Sequence, residues 1–449
     1  MGMSAHDELV GAATLKRLRL ARGWSLAGLA RALTTQAGEL GQPLDASVES
    51  VQRSVARWES SKSPKLPGER YQLLLSHLYA SDNHGHTSLG LGSDFSELLD
   101  ALAHLGESER RLNELRTLLV RTATDRTSGL LVLLGPSTQR VLSAALADPS
   151  KLDEDLLDAV RIAVGDVNGQ VGSLPFVRIQ LLLAPIVESC RHLLQATVPD
   201  ALLPDLGAVA AQAYTLAGRA AFETRDDEAS RRLYAEATAA AGGAGAPWRR
   251  AVVHMSHALV TLYSTPGVGA AKELVDAAVR DARTGESVMV RARAHALQAE
   301  IAARAGSERP AQAALTLARY DMEGDRDGDP APTSFSEAHL RGFEGLTELH
   351  VGDPYKAHDY FARSAEVLRA PREQVQRAII STDQALARIR LNDPEAAVEL
   401  LHGCIDATSA TGGRVASIRL RRARTSLRPW RQEAWFADLD DHLIEAAGT

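Results

Sequence analysis

The residues of this chain with the clearest capacity for chemistry lie between positions 47 and 65. Ser47 can cap a helix whose apolar stripe is Val48, Val51, Val55 and Trp58, spaced as one face of a 3.6-residue period. Opposite that stripe fall Glu49, Gln52, Arg53 and Ala56, flanked by Ser54 and Arg57. A glutamine amide can bond two edge atoms of adenine, and a guanidinium two of guanine, so such a face suits the major groove of DNA. A small helical bundle whose third helix simply meets solvent fits the same pattern, and the pattern alone leaves both readings open.

The elements that would position this face are short helices. Thr14 to Arg22 sets Leu15 and Leu18 on one side with Lys16, Arg17, Arg19 and Arg22 around them, and Gly23 ends it. Ser25 can cap a second helix whose core stripe is Leu26, Leu29, Ala30 and Leu33. Pro64 and Pro67 break the chain after the third helix, and Tyr71, Leu74, Leu75 and Leu78 form another amphipathic helix. Residues 1–80 are therefore expected to hold four helices, with room for a fifth before Ser47.

The wording LKRLRLARGWSLAGLARAL followed by SVARWES resembles the Xre-type, phage-repressor-like helix-turn-helix family, over Thr14 to Tyr79. The resemblance implies base contacts from Gln52, Arg53, Ala56 and Arg57. It places Ser25 where a second helix begins against a phosphate, with Arg22, Ser54, Lys62 and Lys65 as further phosphate contacts. It also implies that Trp58 is core and that Glu59 is a structural partner rather than a base reader. One departure is the stretch TTQAGELGQPLDA between Leu33 and Ser47, where the family usually has only a tight turn. Insertions there are similar to those of actinobacterial relatives. The start of the third helix and the exposure of Glu49 stay open at this point.

Residues 81–93 (SDNHGHTSLGLGS) read as a linker, in which His84 and His86 lack partners for a metal. Residues 94–200 read as degenerate helical hairpins that could pack against the head. From 201 to 449 the chain echoes itself, in units beginning at Thr224, Thr265, Ala305, Val351 and Leu391, each a turn followed by an Ala-containing helix. A second helix precedes each turn. This is the pattern of a stacked helix-hairpin solenoid, and it resembles tetratricopeptide repeats with longer loops or helices. The expected fold is all-α: a four- or five-helix helix-turn-helix domain, then a tetratricopeptide-like solenoid with C-terminal capping helices. Residues 322–335 (MEGDRDGDPAPTSF) read as an exposed acidic loop open to proteolysis.

Joined to such repeats, an Xre-type head is similar to the peptide-sensing quorum regulators of Gram-positive bacteria and to actinobacterial regulators of other effectors. The asparagines that clamp peptide backbones in the former are missing from the first helix of every clear repeat here. A groove for a peptide, small molecule or protein could use Arg291, His295 and Gln298, which share a helix face, beside Arg250, His254 and His257. Ordinary solvated faces are the competing reading. Arg414, Arg419, Arg421, Arg422, Arg424, Arg428 and Arg431 form a C-terminal cluster, with 421, 424, 428 and 431 read as one helical stripe. It could dock on a second subunit, touch DNA or cap the solenoid.

Charge supports a division of labour. Residues 1–80 hold ten Lys and Arg against seven Asp and Glu, whereas the rest hold forty against fifty, a mildly basic head on an acidic body. Aromatic residues make up only 4% of the chain, which suits small-residue helix packing. No apolar run of spanning length occurs and the first ten residues lack a signal-like core, so a cytoplasmic protein with no membrane partner is expected. Cys190 and Cys404 read as buried, reduced side chains. GPSTQR at 135–140 lacks the lysine of a phosphate-binding loop, and no nucleophile elbow or paired carboxylate stands out, so no catalytic residue, metal or cofactor is expected. The expected function is a dimeric, sequence-specific transcriptional regulator that binds double-stranded DNA and senses an effector. The alternative is a protein-interaction adaptor whose helix-turn-helix fold does not bind DNA.

Overall fold

The computed structural model describes residues 5–40, 43–44, 46–81, 93–108, 111–112, 114–116, 119, 136–369 and 373–448. Most of the expected linker, with His84 and His86, lies outside the described residues, as does Gly135. Among the described residues every regular element is a helix, and β pairing is limited to an isolated bridge between Val171 and Leu174. None of the described helices is long and apolar enough to cross a membrane. The chain forms two compact units, residues 1–149 with 184–192 and residues 150–183 with 193–449.

The first unit opens with α1 (Ala5–Ala21), α2 (Leu26–Glu39), α3 (Val48–Trp58), α4 (Glu69–Ala80) and α5 (Asp94–His104). Helix α1 starts well before Thr14, with Asp7 and Glu8 in its first turn, where carboxylates meet the positive end of the helix dipole. Helix α2 runs on to Glu39 and absorbs much of the apparent insertion; the described residues between it and Ser47 are not helical. Ser47 caps α3 by accepting from the Ser50 N–H at 3.3 Å, which sets its start at Val48. The core joins Leu15, Leu18, Leu29, Leu33, Val51, Val55, Trp58 and Leu75 to Phe95, Leu98, Leu102, Leu115 and Leu119. The head is thus not complete at residue 80. Apolar α5 has one buried face to satisfy and finds it on α1 and α4.

Helices α6 (Pro136–Ala147), α7 (Glu154–Gly169) and α8 (Phe176–Gln195) follow, with Pro185 inside α8. The second unit then builds five helical hairpins: α9 (Leu203–Glu223) with α10 (Asp227–Gly243), α11 (Pro247–Ser264) with α12 (Gly269–Thr284), α13 (Val288–Arg304) with α14 (Glu308–Met322), α15 (Glu337–Val351) with α16 (Pro354–Val367), and α17 (Gln374–Arg390) with α18 (Pro394–Thr411). Helices α19 (Arg414–Ser426) and α20 (Ala434–Gly448) end it, both resting on α18.

A small-against-large exchange recurs in four of the five hairpins. A Cβ on Gly345 would lie 2.7 Å from the Phe361 ring, and one on Gly218 would lie 3.1 Å from Tyr234. Both glycines stand sixteen residues before their aromatic ring. The same spacing relates the buried pairs Ala299 with Leu315 and Ala385 with Leu401, so an aliphatic partner leaves room for the alanine methyl. The turns repeat as well. Asp226, Ser307 and Asp393 donate their N–H groups to the carbonyls of Ala221, Ala302 and Arg388, each five residues back. That closure needs a left-handed residue in between, and Arg225, Gly306 and Asn392 supply it with φ of 68°, 74° and 61°.

The first helices of the hairpins form an inner ring. Each of α9, α11, α13, α15, α17 and α19 packs on the next, and α19 meets α9 again. Closure comes from the Val415 N–H, which bonds the buried Glu223 carboxylate at 3.1 Å, and from the ion pair of Arg414 with Asp227. The Arg414 guanidinium also sits 4.5 Å above the Phe222 ring.

Two measurements check this account. Arg225→Gly should stabilise by up to about 1 kcal/mol because glycine accepts the left-handed backbone, whereas Gly306→Ala should destabilise by about 1–2 kcal/mol; urea unfolding of both variants reads the opposite signs. In α4, burial pushes the His77 imidazole down to about 4, so the native state holds it neutral. Between that value and the ordinary 6.5 the unfolded chain binds the extra proton, so stability falls on acidification. Going from pH 7 to 5 should cost roughly 2 kcal/mol through this group, and His77→Phe should flatten the dependence followed by tryptophan fluorescence.

Candidate nucleic-acid interface and effector surface

In the head, α3 turns Val51, Val55 and Trp58 inward and leaves Glu49, Arg53, Ala56 and Arg57 exposed, with Gln52 half-buried. The four residues expected to read bases therefore lie on or beside one outward face. Arg57 donates to the Ser54 hydroxyl at 2.9 Å, which ties down one rotamer-rich side chain. Glu49 shares this face one turn before Arg53. Bonds from its own backbone N–H and from Ser47, then the nearby Arg53 charge, hold its carboxyl below the usual range. Lys62 and Lys65 stand exposed just beyond the helix.

Ser25 accepts the Gly28 N–H at 3.0 Å and caps α2 while remaining exposed. Its oxygen is used as an acceptor, so its hydroxyl hydrogen is left to donate outward. Arg22 has a different place from the one expected. Its guanidinium bonds Asp94 at 2.6 Å and the Ser81 carbonyl at 2.6 Å, and lies 5.6 Å from the Tyr79 ring, with the side chain only 7% exposed. It fastens α5 to α1 and α4 and is not available to a phosphate in this arrangement.

The orientation of α3 rests on a pair that sequence reading identified only by half. Glu59, at the C-terminal end of α3, accepts two bonds from Arg19 of α1 at 2.8 and 2.7 Å, and Arg19 also donates to the Trp24 carbonyl at 2.8 Å. The two side chains are 7% and 6% exposed, and the bond to Glu59 keeps Arg19 firmly protonated. Trp58 packs against Tyr71 and Trp24 against Tyr79 on either side of this pair. Arg19 looked like one more surface cation in the run LKRLRLAR, and nothing local marked it as the buried one.

The residues expected to line an effector groove are mostly spent inside the hairpins. Arg250 bonds both oxygens of Asp281 at 2.8 and 2.6 Å, and His254 lies 3.5 Å from the same carboxylate. One repeat later Arg291 bonds Asp321 at 2.8 Å with His295 at 3.8 Å. Gln298 reaches Asp276 at 3.1 Å, and His257 stacks on Tyr234 with centroids 4.6 Å apart. These side chains therefore lock first helix to second helix, or pack on a neighbour, because an acid or an aromatic ring lies in reach of each. Burial lowers His254, His257 and His295, which favours neutral imidazoles there.

The ring's interior is built instead from residues near the end of each first helix. Tyr263, Arg304, His350 and Arg390 stand two or one residues before the turns that mark the repeat. Arg419 of α19 reaches across to the Tyr263 hydroxyl at 2.7 Å, to Asp383 of α17 and to Glu300 of α13 at 3.6 Å. Arg304 bonds Glu300 at 2.8 Å and Tyr263 at 3.2 Å. The repeat spacing itself was the signal for this set: one position, read down the array, holds polar residues that no solvated face requires.

The C-terminal arginines do not form one stripe, because α19 ends at Ser426 and a short 3-10 turn follows at Arg428–Trp430. Arg424 bonds both oxygens of Asp440 at 2.6 Å and joins α19 to α20, while Arg414 and Arg419 close the ring. Arg421, Arg422, Arg428 and Arg431 are exposed. The loop over 322–335 is exposed from Glu323 to Gly328 and again at Pro330, Pro332 and Thr333, but Asp329 anchors it by accepting from Ser287 at 2.7 Å and from the Met289 N–H at 3.0 Å. Cys190 and Cys404 are free and buried, their thiols pushed up to about 12 and about 11 by burial. No group of three His, Cys, Asp or Glu among the described residues is placed to hold a metal ion. No protein-family model, curated protein or solved structure matches the chain.

Removing Glu59 leaves the Arg19 charge buried without its partner, which typically costs about 3–5 kcal/mol. Glu59→Ala should therefore lower the unfolding midpoint of the head sharply, whereas Glu49→Ala on the exposed face should leave it nearly unchanged. Chemical denaturation of the two variants, followed by tryptophan emission, compares them directly.

Proposed function

We propose that this protein is a sequence-specific DNA-binding transcriptional regulator. In this reading α2 and α3 act as a helix-turn-helix of the Xre type, and the hairpin array is a tetratricopeptide-like domain that mediates dimerisation and senses an effector. The observation that carries it is the outward face of α3: Arg53, Ala56 and Arg57 are exposed with Gln52 beside them, on a helix held rigidly by Arg19 and Glu59. Gln52 and Arg53 are base readers, Ala56 suits a thymine methyl group, and Arg57 reaches a base edge or a phosphate. Ser25, Ser54, Lys62 and Lys65 supply backbone contacts. Their cations release counterions on binding, so affinity must fall with salt.

One head offers few contacts, and two heads related by a dyad would span half-sites about one helical turn apart. The effector, a peptide, small molecule or protein, acts by binding two arrangements of the regulator with different affinity. A second reading, a protein-interaction adaptor, draws on Glu49, an exposed carboxylate on the face that would meet DNA. In the DNA-binding reading Glu49 is offset by Arg53 or accepts from a cytosine amine.

Selection of duplex fragments from the source genome by the purified full chain tests the two. The regulator reading expects enrichment of a short site, steep loss of binding with salt, and weakening by about 1–3 kcal/mol for Gln52→Ala and for Arg53→Ala. Equal affinity for every duplex, or no binding with and without cell extract, would leave the adaptor.

A further inference from the structure

The inner ring concentrates more positive than negative charge. Among the described residues, Arg219, Arg293, Arg304, Arg390, Arg419 and Arg422 sit on the first helices and α19, and the carboxylates paired with them are Glu223, Glu300 and Asp383. Glu223 takes Arg219 at 2.5 Å, Glu300 takes Arg304 with Arg419 nearby, and Asp383 takes Arg419. Every carboxylate of the set is thereby used.

What remains is positive and unanswered at one end of the ring. Arg390 donates only to the Leu349 carbonyl, at the C-terminal end of α15. Helix C-termini at Arg304, Val351 and Arg390 absorb part of the local charge, but that effect fades within the last turn. Arg422, one turn before the end of α19, makes no side-chain hydrogen bond or ion pair, and the charges that act on it are the like charges of Arg304 and Arg390. The His350 Nε2 is buried without a hydrogen-bond partner, and the charged groups around it are Arg304, Arg422, Arg390 and Arg419. Its imidazole is pushed down to about 3, first by burial and then by those arginines, so it stays neutral. An orphaned ring nitrogen among guanidiniums, with solvent still reaching Arg422, is an arrangement short of an anion.

We propose that this end of the ring binds a phosphate monoester, its oxygens held by Arg422, Arg390 and Arg304 and by the Nε2 of His350, and that this is the site at which the array takes a small-molecule effector. A phosphoryl group carries about two negative charges and several acceptor oxygens near neutral pH, which matches two unanswered guanidiniums and one ring N–H. This inference concerns the effector named above, but phosphate binding is read without DNA, so the two readings fail separately.

The test uses the full chain, inorganic phosphate as probe, and chloride at matched ionic strength as reference. Phosphate at about a hundred times its dissociation constant should raise Tm by several degrees, roughly 2–4 °C. Arg422→Gln should abolish most of that shift and, in chloride alone, should melt above the wild type because a repelling charge is gone. Arg428→Gln, an exposed arginine outside the ring, should keep the phosphate shift. The proposal is overturned if phosphate shifts wild type and Arg422→Gln equally, if it shifts neither, or if Arg422→Gln melts lower than wild type in chloride. The last result would make Arg422 a structural residue.

Discussion

The second unit depends on the need to satisfy one buried guanidinium. Arg419 is 8% exposed and draws its partners from three other helices: Tyr263 on α11, Glu300 on α13 and Asp383 on α17. A charge withdrawn from water is several kcal/mol unfavourable unless its bonds are complete. They are complete only when the hairpins stack in this order with this curvature. A buried ion pair adds little net stability over a well-packed apolar group, yet it penalises every arrangement that leaves it open. The hairpins themselves, held by small residues against rings and branched chains, would tolerate a range of curvatures. Arg419, with the closure at Glu223 and Val415, selects one.

The head repeats the device on a smaller scale. Arg19 and Glu59 are as buried as Arg419, and they join the first helix to the end of the third. That fixes the backbone of α3, so the helix itself loses little further freedom on meeting a partner. The arginines of this chain thus divide by what surrounds them. Arg19, Arg22, Arg250, Arg291, Arg419 and Arg424 are answered by carboxylates and hold helices together. Arg422 makes no ion pair, and exposed Arg53 has only the equally exposed Glu49 carboxylate near it.

Much of the head was legible in residue order. Ser25 and Ser47 as caps and the stripes of α2 and α3 follow from local spacing, because capping and amphipathicity act over a few residues, whereas Glu59 as a structural partner came only from the family resemblance. The length of α2 was harder to read, since the stretch after Leu33 stood out only as a departure from a tight turn, and α2 runs through its first part to Glu39. The role of Arg22 was not legible, because its partner Asp94 lies 72 positions away across the expected linker. The same holds for the expected groove: Arg250, His254, Arg291 and His295 share a helical face, but that face meets Asp281 and Asp321 on the second helix of the hairpin.

By itself, the sequence determined the all-helical class, the period of about forty residues, the small-residue crossings and the polar face on α3. Each is a short-range property, set by side-chain volume, capping and a 3.6-residue repeat. Only the tertiary structure decided which charges are spent and which are left over. The ion pair of Arg414 with Asp227 and the hydrogen bond of Arg419 to Tyr263 join residues more than 150 positions apart, and no local pattern distinguishes those arginines from Arg422. Burial is a property of the assembled ring, so the difference between a helix-locking guanidinium and an unpaired one exists only once the ring has closed.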